Sequence, residues 1–289
     1  MSYRIEKDEA LSVALGRIAA EEFALALAEL RRPNRVEAMH NTRKALKRLR
    51  SLLRSLRVAF PKEVFRRENR RLAAAGRKIA PLRDVHVQLH TLDKLRARSG
   101  PAAKKIARTL QRREDAYLRK IPALRRAVRQ MLTASQTTFA ALPARHATPA
   151  HLAAGLKRIY QRGRDGFKAA VRKSTPESLH EWRKQAKILG HSLTLIEQLS
   201  PKTAGQMIKD TEQLCEALGD DHDLFLVLQA LRREDQSHPA RDYRRLSKRI
   251  TGKRRRLQSD AFKLGRSIFA RKPRAFARTL EEWLRSTKK

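Results

Sequence analysis

The sequence has few of the residues that would indicate a secreted or membrane-spanning protein. It contains one cysteine, Cys215, in 289 residues, so no disulfide can form within the chain. We therefore expect a fold held by its core in the reducing cytoplasm, with Cys215 as a buried thiol. No run approaches the roughly 18 apolar residues of a membrane-spanning helix, and the first residues carry charges throughout. Neither a membrane span nor a secretion signal is expected.

Acidic and aromatic residues are also scarce. The chain has 67 Lys and Arg against 29 Asp and Glu, which gives a formal net charge of +38 at pH 7. A compact fold at this charge repels itself unless counterions gather on it, so we expect a polyanionic partner. Phe, Trp and Tyr make up 5% of the residues, which does not favour a partner held by stacking on aromatic rings.

Strand patterns are nearly absent, because runs that alternate Val, Ile, Thr and aromatic residues do not occur and glycine is sparse. The 11 prolines mostly separate segments with a helical period, so the fold is predicted to be all-α. The predicted helices span about 8–31, 35–60, 61–79, a fourth from Asp84, 101–140 with a bend or break near Pro122, 150–173, 177–199, 202–218, 222–235, a very basic stretch at 240–271, and 274–286.

The helix predicted over 35–60 separates charge from apolar residues. At about 100° per residue, six polar side chains fall on one side, which we call the first cationic face: His40, Arg43, Lys44, Lys47, Arg50 and Arg54. The opposite side carries the core residues Leu49, Leu52, Leu53, Leu56 and Phe60. Between Arg35 and Arg57, eight Lys or Arg face one acid, Glu37, so an anion from elsewhere in the protein or from a ligand should lie along this face. A line of cations suits a linear ligand.

The same pattern returns half a chain later. His180, Arg183, Lys184 and Lys187 form a second cationic face, 140 residues after the first. A second motif, 79–84, matches 218–223 at an offset of 139, which indicates an internal duplication. We predict two pseudo-symmetric antiparallel four-helix bundles with extended final helices, from residues 1–145 and 146–289, related by a pseudo-twofold axis.

The roles of several other residues have two interpretations. Asp84 and Asp223, which follow Arg83 and His222, are either N-caps of helices or carboxylates that position a neighbouring Arg or His. His86 with His90, and the cluster 220–223, have spacings compatible with a metal, but no further ligands or glutamate base accompany them. We therefore expect no metal and no cofactor. Nucleophile elbows, Gly-rich phosphate loops and paired catalytic carboxylates do not occur, so no enzyme is predicted.

The two His-led helices, each followed by a helix and a short motif that ends in Asp, resemble the CHAD family, the conserved histidine α-helical domain. The first family motif is matched by His40, Arg43, Lys47, Arg48 and Arg50, and the later motif by Leu218, Gly219 and Asp223. The sequence departs from the family pattern at Ala80, His86 and Gly190, and His191 is expected to replace in part the basic residue missing at 190.

The resemblance implies a non-catalytic protein that binds inorganic polyphosphate in a basic cleft or pore between two helical bundles, in the cytoplasm and in some members at polyphosphate granules. It implies positioning roles for Asp84, Asp223 and His222. The alternative is a nucleic-acid-binding helical protein that also uses the tract at 253–256. The residues expected to bind polyphosphate are His40, Arg43, Lys44, Lys47, Arg48, Arg50, Arg54, Arg77, Arg83, His180, Arg183, Lys184, Lys187 and His191.

Overall fold

The computed structural model describes residues 3–95, 100–141, 147–199, 201–234 and 240–286. Over these residues the chain forms nine α-helices, two 3₁₀ turns and no strand, so the all-α prediction is confirmed. The helices are α1 (Leu11–Glu29), α2 (Arg35–Ser55), α3 (Lys62–Lys94), α4 (Pro101–Ala141), α5 (Pro149–Arg172), α6 (Pro176–Leu195), α7 (Pro201–Glu234), α8 (Ala240–Ile268) and α9 (Pro273–Ser286). The 3₁₀ turns, Arg57–Ala59 and Glu197–Leu199, follow α2 and α6.

The helices pack in two rounds of the same plan. In the first half α1 packs against α2, α2 against α3, α3 against α4, and α4 returns to α1. In the second half α5 to α8 make the same succession of contacts, and α9 packs on α5. This arrangement agrees with the predicted pair of four-helix bundles. The predicted boundary at 145/146 lies outside the described residues and stays a prediction.

Two helix ends predicted from the sequence are wrong. A stop was expected at 79 and again at 218, but α3 and α7 run without interruption through both places. Pro81 lies inside α3, where it removes one backbone hydrogen bond. The helix continues because Leu82, Val85 and Leu92 are buried beyond the proline. Likewise, α4 runs as one helix through Pro122.

Asp84 and Asp223 therefore lie within helices and are not N-caps. The capping reading assumed a helix start at each position, and packing of the downstream apolar residues removes that start. The reading that remains for both carboxylates is the positioning role.

Caps set the start of each helix that carries a cationic face. Asn34 caps α2, where its side-chain oxygen accepts a hydrogen bond from the backbone N–H of Glu37 at 3.2 Å. Thr175 caps α6 by accepting from the N–H of Ser178 at 3.2 Å, and Pro176 occupies the first helical position. The two His-led helices begin five and four residues before their histidine, so the two faces start at nearly the same register.

Buried apolar side chains hold the two halves together. One cluster joins the start of α1 and the end of α2 to the helices of the second half, and includes Leu52, Trp182 and Leu193. A second cluster lies within the first half of the chain. A third joins the C-terminal parts of α3 and α7 to the N-terminal parts of α4 and α8. Of the apolar residues expected opposite the first cationic face, Leu49, Leu52, Leu53 and Leu56 are buried and Phe60 is partly buried. The apolar residues opposite the second cationic face are buried as well: Trp182, Leu189, Leu193 and Ile196.

Cys215 packs on the first of these clusters, and burial raises the pKa of its thiol to about 11. A thiol with this pKa is protonated and unreactive near neutral pH. Among the helices of the described ranges, none has the length and hydropathy to cross a bilayer.

Two close contacts fix α2 against the second half. The Ser55 hydroxyl is hydrogen-bonded to the Ser192 hydroxyl at 3.0 Å, and both side chains are buried. Gly155 of α5 lies against the α2 backbone, where a Cβ atom would stand 1.8 Å from the carbonyl oxygen of Ser55. Only glycine permits this approach, which sets where α2 lies relative to α5.

We predict that Gly155→Ala lowers the free energy of unfolding by at least about 2 kcal/mol, because the added methyl group meets backbone that cannot rotate away. Urea unfolding measures the change. The control is Gly252→Ala in α8, where a Cβ would meet nothing within 4 Å and where alanine should stabilise the helix by up to about 1 kcal/mol. A Gly155→Ala variant as stable as this control would contradict the close packing of α2 on α5.

Candidate functional site

The two cationic faces line one cavity of about 510 Å³ between α2, α3 and α6, which we call the trough. Of the 14 residues expected to bind polyphosphate, the trough collects ten: Arg43, Lys47, Arg50, Arg54, Arg77, His180, Arg183, Lys184, Lys187 and His191. The faces therefore point toward each other rather than into separate regions of solvent.

Four predicted residues lie elsewhere. Arg48 points to α1, where it pairs with the buried Glu22 at 3.0 Å and lies over the Tyr3 ring. Lys44 is exposed and does not line the trough. His40 and Arg83 line a neighbouring cavity of about 580 Å³, which we call the mixed cavity because both acids and bases line it.

The trough holds almost no negative charge of its own. Among the described residues, Glu181 is the one acid in its lining, and it is hydrogen-bonded to Lys184 at 2.9 Å and Gln185 at 2.7 Å. The buried acids of the protein are paired elsewhere. Glu68, for example, is bonded to Arg67, Arg71 and Ser135, and Asp221 is bonded to Arg254 and Gln258. The anion that the sequence analysis expected along the first cationic face is not supplied by the lining of the trough.

Burial without counterions shifts the pKa values of the trough bases. Burial, followed by the charges of Lys187, Arg43, Arg183 and Arg83, lowers the pKa of Lys47 to about 7. Lys187 has a pKa of about 8 for the same reasons, burial first and Arg183 next. Even the pKa of Arg54 falls to about 10, through burial and then Arg50 and Arg162. These bases are held in a site that disfavours their charged forms until an anion enters.

In each half, the first histidine of the cationic face lies beside a residue of the next helix. These two neighbouring residues occupy equivalent positions in the sequence repeat. In the first half the Nε–H of Arg83 donates to Nδ1 of His40 at 3.2 Å. In the second half His222, which corresponds to Arg83, lies with its ring 4.3 Å from that of His180. The two pairs are the structural counterpart of the sequence repeat.

These histidines are neutral at pH 7. Burial first, and then nearby cations, lowers the pKa of His40, His180 and His191, and the pKa of His222 falls to about 3. Because Nδ1 of His40 accepts from Arg83, the ring proton lies on Nε2, which is then a donor. A neutral imidazole donor suits an anionic oxygen.

Two polar atoms of the second cationic face are buried without a hydrogen-bond partner in the described structure: Nδ1 of His180 and Nε of Arg183. The Arg183 side chain packs against Gly219. A Cβ atom at position 219 would lie 3.2 Å from Nη2 of Arg183. Unpaired buried polar groups are costly, and a ligand in the trough offers them partners.

Asp84 and Asp223 act on the site through charge. Asp84 raises the pKa of Arg43, although burial lowers it more, and Asp223 does the same for Arg83. Burial raises the pKa of Asp223, while Arg183 and Arg83 lower it. Both carboxylates thus favour the charged forms of arginines beside the trough, which is compatible with the predicted positioning role.

Sequence reasoning missed an arginine cluster at the end of α2. Arg57 and Arg66 meet Arg158 and Arg162 of α5 around a cavity of about 170 Å³ that also includes Arg54. The four-residue spacing of Arg158 and Arg162 placed them on one side of a predicted helix, but nothing in the sequence placed that side beside Arg54.

The possible metal ligands do not assemble in the described part of the chain, which contains no group of three or more His, Cys, Asp or Glu positioned to hold an ion. Nδ1 of His86 instead lies 3.0 Å from Oε1 of Glu114.

Comparison with known proteins identifies a family that matches most of the chain. A family model described as "CHAD domain" matches residues 10–232 of the chain. The fold is similar to the crystal structure of the CHAD domain from the plant Ricinus communis, at 19% identity and a TM-score of 0.55 over 97% of this chain and 94% of that chain. It is also similar to PptA from Streptomyces chartreusis, at 18% identity and a TM-score of 0.56 over 89% of this chain and 99% of that one. No curated protein matches the sequence. The resemblance drawn from the motifs is confirmed.

We predict that Lys47→Met stabilises the ligand-free protein at pH 7. The pKa of Lys47 is about 7 in the folded chain and 10.5 ordinarily, so between these values the unfolded chain keeps a proton that the folded chain releases. Lys47 therefore opposes folding more strongly as the pH falls from about 10.5 to about 7. Methionine keeps the apolar stem and removes the charge, so the midpoint of thermal unfolding should rise by about 2 °C or more.

The gain should be smaller near pH 9.5, where less of the unfolded lysine is protonated. The control is Lys78→Met on the exposed side of α3, which should leave the midpoint unchanged at both pH values. A lower midpoint for Lys47→Met at pH 7 would contradict the repulsion described for the trough.

Proposed function

The chain belongs to the CHAD domain family, and on that premise we propose that it binds inorganic polyphosphate, without catalysis, in the trough between α2 and α6. The observation that carries the proposal is the lining itself: ten predicted binding residues from both halves surround one cavity whose single acid is already paired. A partner that brings negative charge and many acceptor oxygens relieves the repulsion of these bases and satisfies their donors.

The mixture of side chains fits a chain of phosphates. Arginine guanidinium groups bind two oxygens of one phosphate, and lysines follow the ligand as mobile point charges. Neutral His180 and His191 add donors without adding charge. Because these groups follow two helices rather than surround one point, the site suits a repeated linear ligand, and binding to polyphosphate granules follows from the same affinity.

The lining disfavours the alternatives. Within the described parts of the chain, no Phe, Tyr or Trp lines the trough, whereas proteins that hold single-stranded nucleic acid generally stack bases on such rings. The basic tract at 253–256 is also partly engaged, since Arg254 pairs with the buried Asp221 at 2.9 Å and lies over the Phe225 ring. Catalysis is disfavoured because the trough supplies donors and cations but no unpaired carboxylate to act as a base or hold a metal.

We predict that Arg43→Gln, Lys47→Gln and Arg50→Gln together weaken polyphosphate binding at least about 100-fold, because each change removes a charged donor to phosphate. Isothermal titration calorimetry with short-chain polyphosphate measures the affinity. The matched control removes three exposed cations of α8, Arg245→Gln, Lys248→Gln and Arg249→Gln, and should change the affinity only a few-fold.

Equal losses in the two triple variants would remove the trough from the site. The same titration includes single-stranded nucleic acid of equal charge as a competitor. Displacement of polyphosphate by this competitor as readily as by free polyphosphate, at physiological salt, would favour the nucleic-acid alternative.

Binding should also weaken as the pH rises from about 7 to about 9. A bound polyanion favours protonated lysine, so Lys47 and Lys187, with pKa values of about 7 and about 8, take up protons when the ligand enters. In this range the terminal phosphates of the ligand, with a second pKa of about 6, are already ionised and do not mask the effect. Calorimetry in buffers of different ionisation enthalpy counts the protons, and proton release or no exchange would contradict the prediction.

A further inference from the structure

The arginine cluster beside the trough forms a separate small pocket, lined by Arg54, Arg57, Arg66, Arg158 and Arg162, which we call the arginine pocket. Its cavity of about 170 Å³ is a third of the 510 Å³ of the trough. Arg54, Gln185 and Ile188 line both cavities, so a ligand that lies in the trough reaches the arginine pocket past Arg54.

No carboxylate lines the arginine pocket, and its five arginines form no ion pair with any acid in the described ranges. The pKa of Arg57 is lowered by burial and then by Arg158, Arg162 and Arg66. The Arg57 guanidinium lies over the Phe65 ring at 4.5 Å, which fixes its plane at the wall of the cavity. The pocket is thus a preformed group of donors with no anion of its own.

The cavity at the N-terminal end of α2 differs in charge from the arginine pocket at its C-terminal end. The mixed cavity beside His40 and Arg83 is lined by Glu37, Asp220 and Asp223 as well as by Arg83, Lys94 and Lys253. Carboxylates there repel a polyanion, whereas the arginine pocket has none. The attraction for negative charge therefore increases along the trough from the His40 end toward Arg54.

We propose that the arginine pocket receives the terminal phosphate of a bound polyphosphate, so that the protein holds the chain by one end. The proposal rests on the proposed function of the trough. A terminal phosphate has a second ionisation with a pKa of about 6 and three non-bridging oxygens, so at neutral pH it carries nearly twice the charge of an internal phosphate. Converging guanidinium groups match such a group, since each can bind two of its oxygens.

The apolar walls of the arginine pocket also favour a terminal phosphate over an internal one. Phe65, Ile159 and Ile188 contribute apolar surface to the pocket, which limits the directions in which a charged chain can continue. A small cavity with several arginines and apolar walls suits a compact, highly charged group, whereas the longer trough suits the internal phosphates that follow it. Long chains should then saturate at about two protein molecules per chain, one at each end.

The test compares two ligands of the same length: linear polyphosphate with free ends, and the same chain with both terminal phosphates esterified by an alkyl group. Esterification removes the second charge of each end and converts one of its three non-bridging oxygens into an ester oxygen, but it leaves the internal phosphates unchanged. Wild-type protein should bind the capped chain about tenfold more weakly in calorimetry at pH 7.5, as expected for loss of charged hydrogen bonds.

Arg158→Gln with Arg162→Gln should bring the affinities for free and capped chains to within about twofold of each other. Both side chains are exposed on α5, so the variant should fold normally, which circular dichroism checks. The matched control, Arg255→Gln with Arg256→Gln, removes two exposed arginines of α8 and should retain the tenfold preference.

Equal binding of the two ligands to wild-type protein would overturn the end site while leaving polyphosphate binding in the trough intact. The same conclusion follows if the α5 variant weakens both ligands by one factor, since the pocket would then contact internal phosphates. Failure of wild-type protein to bind either ligand would instead contradict the proposed function, and the end site with it.

Discussion

Repulsion between cations buried on facing helices is the constraint around which this structure is organised. Burial is the main cause of the low pKa values of Lys47 of α2 and Lys187 of α6. The charge of Lys187 lowers the pKa of Lys47 further, and the charges of Arg43 and Arg183 lower the pKa of both lysines. A fold optimised for stability alone would place carboxylates here, as it does at Glu68 and Asp221. Those two acids do not line the trough, which stays electropositive. Such an arrangement is typical of a site that is completed by an anionic ligand.

The framework tolerates this repulsion because the opposite sides of the same helices are well packed. Leucines of α2 and α6 are buried in the clusters that join the halves, and the contacts of Ser55 with Ser192 and Gly155 hold α2 against the second half. Each helix thus carries stabilising burial on one side and electrostatic strain on the other. The duplication doubles the arrangement, so that each half supplies one cationic face and one leading histidine paired with a residue of the neighbouring helix.

Helical period alone predicted the part of this picture that depends on one helix at a time. The split of α2 and α6 into a charged and an apolar side follows from spacing, and the buried Leu49 and Trp182 confirm it. Features that depend on contact with a second helix could not be predicted from the sequence. Arg48 lies beside Arg50 in sequence, yet its guanidinium pairs with Glu22 of α1. The continuation of α3 through Pro81 depends on the packing of the residues beyond it, and the meeting of Arg162 with Arg54 depends on where α5 crosses α2.

The central claim is that a polyanion occupies the space between the faces of α2 and α6, and the reactivity of two lysines tests it most directly. Because their pKa values are about 7 and about 8, Lys47 and Lys187 carry a large neutral, nucleophilic fraction near neutral pH. Limited acetylation at pH 7.5, measured by mass spectrometry with and without saturating polyphosphate, should show both lysines protected by the ligand while the exposed Lys263 of α8 reacts at a nearly unchanged rate. Unchanged acetylation of Lys47 and Lys187 in the presence of bound polyphosphate would contradict the account.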